Sequence, residues 1–128
     1  MIFGARADVS AGSNATNKHT TFGATYTTMG ATIGMQRTAL SKNTANTDED
    51  RTHIAASFAV NENLSVSYGM STVEFESSAK TDQEDSGFAA SYTMGSMSFS
   101  ASSNKSDNAS GTSGNDDTHK EVSVAFAF

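Results

Sequence analysis

Glu121-Val-Ser-Val-Ala-Phe-Ala-Phe128 is the stretch on which the fold turns. Val122, Val124, Phe126 and Phe128 recur at every second position, so one face of an extended strand carries them all. Such a strand in water presents a sticky edge. The conflict disappears if its apolar face meets hydrocarbon, its other face meets enclosed water, and its backbone pairs on both sides.

The same face recurs upstream. Phe22-Gly-Ala-Thr-Tyr26, Ile54-Ala-Ala-Ser-Phe58, Phe88-Ala-Ala-Ser-Tyr92 and Val122-Ser-Val-Ala-Phe126 share one pattern. Each has a large apolar residue, a smaller one two places on and an aromatic four places on. The copies start 32, 34 and 34 residues apart, a spacing that fits a two-strand repeat. Thr27-Thr28-Met29-Gly30, Val60-Asn61-Glu62-Asn63 and Thr93-Met94-Gly95-Ser96 follow three of them and read as tight turns. Partner strands come next, with Ala31, Ile33 and Met35, then Leu64, Val66, Tyr68 and Met70, then Met97, Phe99 and Ala101 on their apolar faces. Apolar parity changes from Met70 to Val73 and Phe75, which predicts a bulge near Ser71-Thr72. Phe3, Ala5, Ala7 and Val9 read as the apolar face of an opening strand.

The expectation is all-β: an antiparallel up-and-down meander of about eight strands forming a transmembrane β-barrel. The strands fall at 2–10, 19–28, 31–41, 51–60, 64–75, 86–93, 97–103 and 118–128. Connections at 11–18, 42–50, 76–85 and 104–117 are long and polar, and alternate with the short turns. That alternation is the pattern of outer-membrane barrels, with short periplasmic turns and longer extracellular loops. Residues 1–128 make a single domain or the C-terminal part of one.

Composition agrees. Hydrophobic residues make up 36% and mean hydropathy is −0.41, low for a globular core but natural where only alternate residues face lipid. The absence of cysteine removes disulfides and thiolate metal sites, and the absence of proline suits a chain that is nearly all ladder. A net charge of −6 argues against nucleic acid as a partner. No run of 18 apolar residues predicts a membrane helix. No charged segment followed by an apolar one opens the chain, so a processed or excised piece of an exported protein is expected.

Alternation then sorts the residues. Arg6, Asp8, His19, Gln36, Arg51, His53, His119 and Glu121 are expected to line a pore among small hydroxyl residues. Tyr26, Phe58, Tyr92, Phe126 and Phe128 would form a lipid-facing aromatic girdle, with Phe22, Phe75 and Phe88 a thinner one at the other end. The three histidines read as rim hydrogen-bonding groups, with a shared metal site or pH gate as the sharper alternative. No cofactor is expected beyond Ca²⁺ at the acidic runs Asp48-Glu49-Asp50, Asp82/Glu84/Asp85 and Asn115-Asp116-Asp117, which lack calcium-loop spacing. No nucleophile elbow, phosphate loop or H-E-x-x-H occurs, so catalysis is not expected.

Two resemblances sharpen this. With Glu121, Phe126 and Phe128, the closing strand resembles the signal read by the barrel-assembly machinery, although Ser123 stands where glycine is usual. Tyr92-Thr-Met-Gly-Ser-Met-Ser-Phe-Ser-Ala-Ser-Ser-Asn104, the polar loop after it and the closing strand together resemble the end of an alphaproteobacterial general porin of the Rhodobacter type. The likeness implies the C-terminal half of a 16-stranded barrel, a homotrimer in outer-membrane lipid, and passive diffusion of small hydrophilic solutes and ions. No constriction residue is carried over. The rival readings are a complete eight-stranded barrel serving as anchor or adhesin, and a secreted β-repeat fibre subunit.

Overall fold

A computed structural model describes residues 1–11 and 15–127. Eight strands follow one another: β1 (Ile2–Ala11), β2 (Ala15–Thr28), β3 (Ala31–Ser41), β4 (Glu49–Ala59), β5 (Leu64–Phe75), β6 (Gln83–Met94), β7 (Met97–Asp107) and β8 (Asp117–Phe126). They form one sheet in sequence order, each antiparallel to the next, with β1 and β8 as its two edges.

The short connections have identifiable turn chemistry. Thr28 pairs with Ala31, leaving Met29 and Gly30 between them at φ 46° and 80°, the two positive values of a type I′ hairpin. Gly95 takes φ 60° in the two-residue turn closed by the Met94–Met97 pair. At 60–63 the Asn61 side chain accepts hydrogen bonds from the backbone N–H of Asn63 and Leu64, both 2.9 Å, an Asx-type turn.

At the opposite end the strands run further than alternation suggests. Polar pairs such as Asn104–His119 and Ser106–Asp117 extend β7 and β8, so that connection shrinks to 108–116. The expected long connection at 11–18 is corrected more strongly: β1 and β2 pair as far as Ala11 and Ala15, because hydroxyl and charged residues sustain a ladder as well as apolar ones.

Directly paired residues share a face, so the register sorts every strand. One face carries Phe22, Ala24, Tyr26, Ile33, Met35, Ile54, Phe58, Val66, Tyr68, Phe88, Tyr92, Phe99, Val122 and Phe126 (the apolar face). The other carries Thr21, Thr38, Gln36, His53, Ser67, Ser71, Ser91, Ser100, Ser102, His119, Glu121 and Ser123 (the hydroxyl face). Three expectations fail against this register. The β4–β5 and β5–β6 ladders run through Ser71 and Thr72 without interruption, so no bulge occurs there. Val73 and Phe75 therefore lie on the hydroxyl face, and Phe75 is not part of an apolar-face girdle. In β1, Phe3 pairs with Gly23 on the hydroxyl face, while Arg6 and Asp8 pair with Thr20 and Lys18 on the apolar one. The Phe3 ring lies where a Cβ at Gly23 would be, 2.5 Å from its Cζ, so ring and glycine fill one space. Phe128 lies outside the described residues.

Among the described residues nothing covers the apolar face. Among the described residues Val73 is the buried large hydrophobic, whereas Tyr26 is 68% exposed, Ile33 56%, Tyr68 50% and Phe126 65%. This sheet has no conventional core.

Candidate functional site

The hydroxyl face is the candidate site, and the strand register assembles it from β2 to β8. Its residues are short and satisfy one another across strands. Thr21 and Thr38 hydroxyls lie 3.0 Å apart, Thr27 and Thr32 2.9 Å, and Ser100 and Ser123 3.0 Å. Small side chains leave room above them. A trough of about 580 Å³ opens over Ser57, Ser67, Ala89, Ser91, Ser100, Ser102 and Glu121. Its lining offers hydroxyl groups that both donate and accept, suited to water and to hydrophilic solutes.

Charge gathers at the long-loop end of this face. Lys42 Nζ donates to Glu49 Oε1 at 2.9 Å and Arg51 donates to Glu49 Oε2 at 3.1 Å. The Lys42 hydrogen bond, aided by Arg51 and opposed by desolvation, holds the Glu49 carboxyl below its ordinary range. Asp85 accepts from Gln83 Nε2 at 3.0 Å and from Ser106 Oγ at 2.6 Å. Arg51, His53, Lys80, Gln83 and Asp85 share a cavity of about 330 Å³ with Val73, Phe75 and Ser110.

Of the residues expected on a pore wall, His19, Gln36, Arg51, His53, His119 and Glu121 share this face, whereas Arg6 and Asp8 do not. The histidines stand on β2, β4 and β8 and do not converge. Among the described residues no group of three His, Cys, Asp or Glu is placed to hold a metal ion. His119 Nε2 lies 3.8 Å from Glu121 Oε2, too far for a hydrogen bond. Alternation missed Glu49, Lys80, Gln83 and Asp85. Their signal was the odd parity of Val73 and Phe75, which marks an apolar seat on the polar face.

The apolar face has its own geometry. The row of directly paired residues through Tyr26 meets β4 at Ala56, two residues before Phe58. Phe58's row meets β6 at Ala90, two before Tyr92, and Tyr92's row meets β8 at Val124, two before Phe126. The aromatic line therefore drops one residue per strand. With a rise of about 3.4 Å per residue and strands about 4.8 Å apart, that line is level when the strands tilt by about 35°. Toward the long-loop end the face turns charged, and its cations lean one way. Arg6 reaches Asp8 (3.2 Å), Arg37 reaches Asp50 (2.8 Å) and Lys105 reaches Asp107 (2.7 Å). Each carboxylate sits two residues nearer the long loops than its partner.

No family model, curated protein or solved structure matched this chain.

Proposed function

We propose that this sheet is the wall of an outer-membrane porin, a passive channel for small hydrophilic solutes and ions. The observation that carries the proposal is the uncovered apolar face, bounded by Tyr26, Phe58, Tyr92 and Phe126. An exposed apolar surface spanning seven strands needs a non-aqueous partner. A level aromatic line at about 35° of strand tilt matches the 35–45° tilt and aromatic girdle of membrane barrels. The lean of Arg6, Arg37 and Lys105 away from the apolar band fits cations reaching for the aqueous boundary.

Transport here is selection by width and wall charge, with no bond made or broken. Glu49, Asp85, Asp117 and Glu121 outnumber Arg51 on the strands of the hydroxyl face, which favours cations mildly. The free edges of β1 and β8 need partner strands. The serines and alanines of the wall would leave an eight-stranded barrel poorly filled, so a wider barrel of about sixteen strands fits better. Homotrimeric assembly in outer-membrane lipid is part of the same proposal. Planar-bilayer recording tests it: ohmic steps that scale with electrolyte concentration support the channel, and silence from protein inserted in the membrane refutes it.

A further inference from the structure

We infer that the β5–β6 and β7–β8 connections form a fixed sill across the long-loop end of the hydroxyl face, with Lys80 setting its charge selectivity. This inference rests on the channel reading above.

The seat is apolar, and it lies on the polar face. Val73 is buried at 6% exposure, and Phe75 stands beside it at the end of β5. Two connections converge on them. A tight turn at Ala109–Gly111 brings Gly111, buried and at φ 78°, so close that a Cβ there would lie 2.9 Å from Phe75 Cε2 and from Lys80 Cδ. Only glycine combines that φ with that approach.

Hydrogen bonds lock the two connections together. Thr81 N–H donates to the Gly111 carbonyl at 3.1 Å, and Asn108 Nδ2 donates to the Asp82 carbonyl at 3.1 Å. Ser110 N–H donates to Gln83 Oε1 at 2.9 Å. Asn108 also ties its own loop, accepting from Gly114 N–H at 3.1 Å. A pair of loops bound to each other and to a buried apolar seat is positioned to narrow the space above it.

Lys80 is the cation that this sill presents. Its Nζ lies 4.2 Å from the Phe75 ring centroid, held by the π face rather than by a carboxylate within ion-pair distance among the described residues. It borders the 330 Å³ cavity shared with Arg51, His53 and Asp85. An unneutralised ammonium there opposes the negative wall below and restrains cation preference. For a solute about 8 Å from Nζ in 0.1 M salt, Lys80→Glu should raise the cation-to-anion permeability ratio about fivefold.

The test combines reversal potentials in a salt gradient with amide exchange of the full chain in detergent. The expected results are a fivefold shift for Lys80→Glu, larger conductance for Gly111→Val, and slow exchange of the Thr81 amide that Gly111→Val abolishes. Conducting variants with unchanged selectivity and conductance overturn the sill and leave the channel standing. If the unaltered protein never conducts, the channel reading falls. Free-loop exchange at Thr81 would then overturn the sill independently.

Discussion

Ile54→Arg separates a lipid-facing surface from a merely exposed one. Ile54 lies on the apolar face of β4, four residues above Phe58. At about 35° of tilt each residue climbs about 2.8 Å, which puts Ile54 roughly 11 Å above the aromatic level and near the middle of a band about 25 Å tall. An arginine at that depth costs about 2–4 kcal/mol in a membrane barrel, a 30- to 900-fold drop in the folding equilibrium. Ile54→Ala measures the loss of side-chain contact separately, and the charge contribution is the difference between the two. Ala55→Arg, next along the strand but on the hydroxyl face beside Gly34 and Gly69, should change stability by less than about 0.5 kcal/mol. The assay is reversible denaturant unfolding in lipid vesicles. Equal costs at Ile54 and Ala55, after correction for Ile54→Ala, would refute the assignment of faces.

Other outcomes follow from the same geometry. Met29 holds φ 46° without glycine's freedom, so Met29→Asn should stabilise the sheet by about 1 kcal/mol in the same unfolding assay. Gly23→Val should destabilise by at least about 2 kcal/mol, because its Cβ would meet Phe3 Cζ at 2.5 Å and the Met35 carbonyl at 2.8 Å; Phe3→Ala should relieve only the first clash. Glu49 opens β4 nine residues above Phe58, about 25 Å, at the upper edge of the proposed band and on the hydroxyl face, so its titration reports on the 42–48 connection. Its folded carboxyl is held low, so its stabilisation is complete above the ordinary carboxylate range and is lost as pH falls through the lowered value. The protection factor of the Lys42 amide, whose N–H donates to Asp48 at 2.8 Å, should therefore fall on acidification once the intrinsic pH dependence of exchange is divided out, and Glu49→Gln should weaken that response.

Much of this architecture was legible because alternation is a strong signal when one face is apolar. The four aromatic-ending segments placed β2, β4, β6 and β8, and Gly30, Asn61 and Gly95 placed the turns between their partners. Alternation weakened where small residues carry it. Ala5 and Ala7 barely distinguish one face from the other, and the complementarity of Phe3 with Gly23 assigned β1 the opposite way. Val73 and Phe75 misled for a different reason. Apolar residues at the wrong parity fit either a bulge or an apolar patch on the polar face, and only the loops that cover them distinguish the two. Lys80 and Gln83 stayed hidden with that patch, since polar residues in a polar stretch carry no periodic signature, and Asp85 stood out only as a member of an acidic run.

The most direct test is a nitroxide scan along β6 in lipid vesicles. The native chain has no cysteine, so single substitutions from 86 to 93 each give one labelled site. Labels at 88, 90 and 92 should collide with membrane-dissolved oxygen, while those at 87, 89, 91 and 93 should collide with a water-soluble nickel chelate. Labels at 88, 90 and 92 shielded from both quenchers, or nickel access with no two-residue period, would contradict the assignment of faces.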